Sequence, residues 1–150
     1  LLQSATMLEI PVLISEQYPK GLGSTVPDIV SAAPSAQIFA KMTFSCARDP
    51  ALTEAVKVLR TGNRNQIIIC GIEAHVCVAQ TALDLVASGA EVFVVADAVA
   101  SRRPSDMHAA LERFRSAGIS IVTSEMVVFE WLEKAGTDEF KAVSGLLKPL

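Results

Sequence analysis

The residue best placed for covalent chemistry is Cys77, which follows a run of apolar residues and a short turn. Residues 66–70 predict a buried strand, Gly71 begins the turn, and a helix is expected from about Val76. In the first turn of a helix, free N–H groups and the helix dipole favour a thiolate. A thiolate is nucleophilic, and the same N–H groups can hold an oxyanion. The position therefore suits a nucleophile, although free cysteines are more often small core residues.

The other two cysteines give weaker signals. Cys70 ends an apolar run and is expected in the core, whereas Cys46 lies in loop sequence and is expected to be a bystander. A redox-sensing thiol protein would need an exposed resolving cysteine near Cys77, and both are weak candidates for that role. Three cysteines at irregular spacing fit a reducing compartment better than a disulfide framework.

Alternating strand and helix patterns predict the architecture that would position Cys77. Short apolar, β-branched runs predict buried parallel strands at residues 12–15, 66–70, 91–97 and 119–123. Helices are expected from Asp49-Pro50, over about 76–88, from 105 to near Gly118, from 123 or 124 to 132, and over 137–147. This alternation predicts a three-layer α/β/α, Rossmann-like fold with a mostly parallel sheet.

Composition narrows the function classes. One domain is expected over residues 1–150, 51% of which are hydrophobic, and this apolar excess suggests self-association. No apolar run is long enough to cross a bilayer, so no membrane partner is expected. The net charge is -3 and basic residues do not cluster, which argues against nucleic acid. The sequence begins without Met, so a targeting signal cannot be judged; a cytoplasmic location is expected, with a mitochondrial one left open.

The segment after the second predicted strand carries a recognisable motif. It resembles the nucleophile motif of the isochorismatase-like cysteine hydrolases, which include nicotinamidases and N-carbamoylsarcosine amidases, and it reads Gly71-Ile72-Glu73-Ala74-His75-Val76-Cys77-Val78. The resemblance covers most of the chain and points in particular to the eukaryotic isochorismatase domain-containing proteins. It implies hydrolysis of an amide or related C–N bond of a small molecule through an acyl-enzyme at Cys77. It also implies a cis peptide before Glu73, with an oxyanion hole formed by the backbone N–H groups of Glu73 or Ala74 and of Cys77.

The resemblance implies two further catalytic residues, a lysine and an aspartate, and this sequence has a match for the lysine only. A lysine in loop sequence is usually solvated, but Lys41 matches the family's lysine, shortly before Phe44 and Ser45, and would supply positive charge near the thiolate. The family's aspartate, a general base at the end of its first strand, has no counterpart in this sequence. We favour an N-terminally incomplete sequence over a degraded enzyme. The alternative function is a non-catalytic binding protein that retains the fold.

The same comparison concerns the pocket and a metal. Nicotinamidases carry an Asp-x-His pattern after the second strand of the family, which matches residues 12–15 of this chain. This chain has Glu16 and Tyr18 in place of that pattern, so neither metal nor another cofactor is expected. The expected pocket residues are Glu16, Tyr18, Phe44 and His75, for which plain packing or turn roles remain open. Isochorismatase itself cleaves a vinyl ether without this cysteine, so the family does not fix the chemistry. A homo-oligomer is expected.

Overall fold

The structure is a computed structural model that describes residues 1–147. A 3-10 turn at Cys46–Arg48 and a π-helical turn at Ala74–Val78 accompany the regular elements. In chain order these elements are α1 Leu2–Met7, β1 Leu13–Gln17, α2 Pro19–Leu22, α3 Pro27–Ala32, β2 Gln37–Lys41, α4 Pro50–Thr61, β3 Gln66–Ile72, α5 Ala79–Ala87, β4 Glu91–Ala100, α6 Pro104–Ser116, β5 Ser120–Val122, α7 Ser124–Leu132 and α8 Asp138–Ser144.

The strands form two parallel sheets. β1 pairs with β2, and β3, β4 and β5 form a second sheet in that order. Among residues 1–147, β1 and β3 each have a strand partner on one side, and Ile72 at the end of β3 is 70% exposed. The α/β class with parallel pairing is confirmed, and the predicted strands overlap β1, β3, β4 and β5.

Layers of helix cover both faces of the second sheet. Val92 and Val94 of β4 pack in a cluster with α5 and α6, while Phe93 and Val95 pack in another cluster with α7. Successive side chains of a strand point to opposite faces, so this split puts α5 and α6 on one side and α7 on the other. Burial on both faces explains why residues 92–96 of β4 form a continuous apolar run.

One strand was not predicted, and the expectation that Lys41 lies in a loop was therefore wrong. Residues 37–41 form β2, so Lys41 ends a strand and does not lie in a loop. The strand is short, its ends are the polar residues Gln37 and Lys41, and most of its residues are exposed. It has no run of β-branched residues such as the one that indicated each of the other strands, and for this reason it was not predicted. The predicted strand over residues 91–97 was also too short, because β4 continues beyond Asp97 to Ala100.

Two helix starts follow the sequence signals closely. The carboxylate of Asp49 accepts hydrogen bonds from the backbone N–H groups of Ala51 and Leu52, both at 3.1 Å, and Pro50 is the first residue of α4. The Thr123 hydroxyl accepts a bond from the N–H of Met126 and so caps α7. No helix within residues 1–147 is long and apolar enough to span a membrane.

Candidate active site

Cys77 lies in the turn that joins β3 to α5. The peptide bond between Ile72 and Glu73 is cis, as the resemblance implied, and the π-helical turn follows directly. The backbone N–H groups of Val76 and Val78 both donate to the carbonyl of Glu73, at 3.1 and 3.3 Å. The N–H of Cys77 lies between them and does not bond to this carbonyl. The residue thus sits at the start of the helical segment, partly buried.

Lys41 ends β2 with its ammonium group turned inward. The residue is 3% exposed, and its Nζ donates to Gln17 Oε1 at 2.5 Å and to the carbonyls of Thr43 and Phe44 at 3.0 and 2.9 Å. These three acceptors are neutral and use the three donors of the ammonium group. No carboxylate within residues 1–147 lies within 4.0 Å of this nitrogen. The positive charge is therefore buried without an acidic partner in the described part of the chain.

Gln17 connects Lys41 to Cys77, and the sequence interpretation did not single it out. Gln17 and Lys41 are paired in the parallel register of β1 and β2. The Oε1 that accepts from Lys41 also lies 3.9 Å from Cys77 Sγ. The Nε2 donates to the carbonyl of Met42 at 2.7 Å, which fixes the orientation of the amide. The available signal was its place at the carboxyl end of a strand, where sites form in open α/β sheets.

Three of the expected pocket residues lie at this same end of the first sheet: Glu16 near the end of β1, Tyr18 directly after β1, and Phe44 shortly after β2. Glu16 points away from Gln17 because adjacent strand residues face opposite sides. Its carboxylate accepts a hydrogen bond from the N–H of Thr25 at 2.7 Å, and this bond lowers the pKa of Glu16. Tyr18 and Phe44 are 46% and 52% exposed. Their roles, like that of Glu16, stay predictions.

His75 lies in the turn beside Cys77, but its ring is turned toward the segment after β4. Its Nδ1 is 2.9 Å from Ser101 Oγ and 3.6 Å from Glu73 Oε2, and its Nε2 is 3.7 Å from Asp106 Oδ2. Glu73 also accepts bonds from the backbone N–H and the Nε of Arg102, and the backbone bond is the main cause that lowers the pKa of Glu73. Both ring nitrogens thus face groups of this chain.

The remaining cysteines occupy different surroundings. The prediction that Cys70 is a core residue is wrong, because the residue is exposed on β3, an edge strand among the described residues. The Sγ of Cys46 lies 3.3 Å from Ser15 Oγ, and its N–H donates to Thr81 Oγ1 at 2.9 Å. Cys46 therefore lies between β1 and α5 and contacts both, and is not the isolated loop residue that the sequence suggested.

Two surface clefts do not coincide with this chemistry. One of about 510 Å³ lies between the start of β1 and α4, and one of about 770 Å³ lies between α4 and α5. Neither is lined by Cys77, Lys41 or Gln17. We take the convergence of a thiol, an ammonium and an amide, and not cleft size, as the sign of the site. Within residues 1–147, no group of three or more histidine, cysteine, aspartate or glutamate side chains is arranged to hold a metal ion.

Known proteins are similar to this chain in sequence and in fold. The family model of the isochorismatase domain matches residues 1–126. Isochorismatase domain-containing protein 2 of Danio rerio is 42% identical, with 98% of this chain and 72% of that protein covered. Isochorismatase domain-containing protein 1 of the same fish is 43% identical; the match covers 99% of this chain but about half, 51%, of that protein.

Solved structures agree with the sequence comparison. The MAR1 ribonuclease from Caenorhabditis elegans superposes with a TM-score of 0.88 at 38% identity, covering 99% of this chain and 80% of that one. YcaC from Pseudomonas aeruginosa, solved with hexane-2,5-diol and covalent acrylamide, gives 0.86 at 26% identity, covering 96% and 72%. YcaC from Escherichia coli, described as an octameric hydrolase of unknown specificity, gives 0.82 at 27% identity, covering 89% and 65%. Because sequence and fold agree over most of its length, this chain belongs to the isochorismatase family, whose members support a hydrolase role.

Proposed function

We propose that this protein is a cysteine-dependent hydrolase that cleaves an amide or related C–N bond of a small molecule through an acyl-enzyme at Cys77. The observation that carries the proposal is the line of contacts from Lys41 Nζ through Gln17 Oε1 to Cys77 Sγ, with separations of 2.5 and 3.9 Å. A buried ammonium close to a thiol at a helix start favours the thiolate, the form that attacks a carbonyl.

The reaction has two steps. The sulfur of Cys77 attacks the carbonyl carbon, and the carbonyl electrons move to oxygen, where N–H groups of the turn over residues 73–78 (the elbow) stabilise the charge. The C–N bond then breaks, the amine leaves with the proton that the thiol gave up, and a thioester remains. Water attacks the thioester, which releases the carboxylic acid and restores the thiol. The proposed N–H donors are those of Glu73 or Ala74 and of Cys77, and among these the N–H of Cys77 does not turn back to the Glu73 carbonyl.

Lys41 and Gln17 have different roles toward Cys77. Lys41 supplies positive charge, and its bonds to Gln17 and to two carbonyls fix its position. Gln17 can accept a hydrogen bond from the Cys77 thiol, but its neutral amide cannot take the proton. The proton acceptor must therefore be another group, and the resemblance calls for a carboxylate in that role. In the described part of the chain no carboxylate reaches Lys41 within 4.0 Å.

Features of related proteins support parts of this proposal. Covalent acrylamide on the Pseudomonas protein supports a reactive nucleophile in this fold. The octamer of the Escherichia protein supports a homo-oligomer here. The ribonuclease described in Caenorhabditis offers a different substrate class. A net charge of -3 without a basic cluster suits a small molecule better than a polyanion.

The test is to incubate the protein with a panel of small amides and to measure product release together with the mass of the intact chain. We expect turnover and a transient acyl adduct on the peptide that contains Cys77. Cys77→Ser should lower turnover by orders of magnitude at nearly unchanged thermal stability. The matched control is Cys46→Ser, which changes a neighbouring thiol that the proposal does not use.

Full turnover in Cys77→Ser would contradict thiol catalysis. Catalysis would then have to come from other groups, or the cysteine would serve only in packing. The absence of turnover and adduct for every amide in the panel would favour the binding protein, the other function that the fold can serve. In that case Cys77→Ser would leave ligand binding intact.

A further inference from the structure

Cys46 and Cys77 contact neighbouring side chains of the same strand. The Sγ of Cys46 lies 3.3 Å from Ser15 Oγ, and the Sγ of Cys77 lies 3.9 Å from Gln17 Oε1. Ser15 and Gln17 are two positions apart on β1, so their side chains share one face of the sheet and their Cα atoms are about 7 Å apart. Both sulfurs therefore lie beside the same face of β1.

The helix that follows the elbow shows the same relation between the two cysteines. The backbone N–H of Cys46 donates to Thr81 Oγ1 at 2.9 Å, and Thr81 is buried on α5. Thr81 follows Cys77 by four positions, which is about one helical turn and a rise of about 6 Å. Cys46 is thus held one turn along the helix from Cys77 and two strand positions along β1 from its contact.

We propose that Cys46 and Cys77 form a reversible oxidation site, at which a peroxide converts the two thiols into an intramolecular disulfide. The inference goes beyond the proposed hydrolysis, because it requires two thiols and a peroxide but no amide substrate. The sequence made Cys46 a weak candidate for a resolving cysteine. Its contacts with β1 and α5 are what favour it in that role.

The chemistry has two steps, written here for hydrogen peroxide. The thiolate fraction of Cys77 attacks one peroxide oxygen, the O–O bond breaks, and a sulfenic acid and one water form. The Cys46 thiol then attacks the sulfenic sulfur, the S–S bond forms, the S–O bond breaks, and the hydroxyl leaves as water with the thiol proton. The sulfur pair loses two electrons and the peroxide gains them. A dithiol reverses the reaction by exchange.

Closing the bond requires a small movement of Cys46. A disulfide joins Cα atoms about 4.4–6.8 Å apart, close to the spacing of about 6–7 Å that β1 and α5 impose on the partners of the two cysteines. Cys46 begins a three-residue 3-10 turn, whereas the elbow that carries Cys77 is held by backbone bonds to the carbonyl of Glu73. We therefore expect the 3-10 turn to shift and Cys46 Sγ to leave Ser15. Both cysteines are half-buried, so a molecule as small as hydrogen peroxide can reach them.

Cys70 is the competing partner, because it is only seven positions from Cys77 along the chain. It lies within β3, and the residues on either side of it, Ile69 and Gly71, are both paired with β4, which fixes its place in the strand. Burial of its sulfur raises the pKa of the Cys70 thiol, so less of it is thiolate at neutral pH. Both features favour Cys46 over Cys70.

The experiment exposes the purified protein to hydrogen peroxide, blocks the remaining thiols with N-ethylmaleimide, and identifies joined peptides by mass spectrometry without reduction. Cleavage after lysine and arginine leaves Cys70 and Cys77 together in residues 65–102, so a second cleavage after Glu73 is needed to separate them. We expect the peptides of Cys46 and Cys77 to be joined and the intact chain to be lighter by two hydrogen atoms. Dithiothreitol should restore both thiols.

Cys46→Ser and Cys70→Ser are the matched variants. Without Cys46 the sulfenic acid at Cys77 has no partner, so severalfold more sulfinic acid should accumulate there, and dithiothreitol should not reverse it. Cys70→Ser should form the same disulfide at the natural rate. The joined peptides of the natural protein test the proposal even where a variant does not fold.

Four results would overturn the proposal. They are a disulfide to Cys70, a disulfide between two chains, peroxide treatment that leaves Cys46 and Cys77 unjoined in the natural protein, and equal sulfinic acid at Cys77 with and without Cys46. Turnover is not measured, so failure here is distinct from failure of the proposed hydrolysis, which is tested on the reduced protein.

Discussion

Replacing Lys41 by methionine tests whether its charge activates Cys77. The ammonium and the sulfur are no farther apart than the 2.5 and 3.9 Å contacts laid end to end, about 6 Å. A unit charge at that distance stabilises a thiolate by roughly 2–3 kcal/mol at an effective dielectric constant near 20, and by about 0.7 kcal/mol in water. A more basic thiolate is also a better nucleophile, which offsets about half of the loss. Alkylation of Cys77 at pH 7 should therefore slow by about two- to tenfold in Lys41→Met.

The assay is iodoacetamide labelling followed by peptide mass spectrometry, with Cys46 and Cys70 as internal references. In the natural protein Cys77 should label fastest, although Cys70 is the more exposed residue, because burial of its sulfur raises the pKa of the Cys70 thiol. Lys41→Arg keeps the charge and is the matched control. Lys41→Met should lose about 1–2 kcal/mol of stability, because Gln17 Oε1 loses its donor while the two carbonyls belong to exposed residues that water reaches. An unchanged Cys77 rate in a folded Lys41→Met protein would refute the reasoning, as would an equal slowing at all three thiols.

Three further predictions concern metal, capping and pH. Elemental analysis of the purified protein should find no stoichiometric zinc, iron or manganese; one tightly bound ion per chain, lost in His75→Ala, would contradict this. Asp49→Ala should destabilise the protein by about 1 kcal/mol in urea unfolding, because α4 loses its N-terminal cap, whereas an unchanged midpoint would show that the cap contributes nothing. The hydrogen bond from Arg48 lowers the pKa of Asp84, so this pair should contribute stability above the unfolded pKa of about 3.9 that is lost as pH falls through the folded value. Unfolding of Asp84→Asn should accordingly depend less on pH below about 4 than that of the natural protein, and identical pH curves would argue against the pair.

The parts of the fold that the sequence predicted share one physical property, which is burial of a continuous apolar face. β3, β4 and β5 carry apolar runs that satisfy core contacts on both sides, and the helix between Asp49 and Gly62 begins with a cap that acts locally. Such signals are contained within a few consecutive residues. β2 was missed because its residues are mostly exposed and its stability comes from hydrogen bonds to β1, a partner distant in sequence.

The candidate site was predictable only in part for the same reason. Cys77 could be singled out because strand, turn and helix start are adjacent along the chain. The contact between Gln17 and Cys77 joins residues 60 positions apart, and no local pattern reports it. His75 was expected in the pocket from its place next to the elbow, but the direction of its ring depends on Ser101 and Asp106, which belong to later segments.

The pairing of Gln17 with Lys41 also limits how the length of the chain can vary. Side chains alternate along a strand. One residue added or removed within β1 would therefore turn Gln17 to the opposite face of the sheet, and the same change within β2 would turn Lys41. The ladder of backbone bonds could re-form after such a change, yet the ammonium would no longer meet the amide. Insertions in the exposed connection between α2 and α3 leave this parity intact. Among homologous proteins, length differences should therefore collect in that connection and be excluded from the two strands.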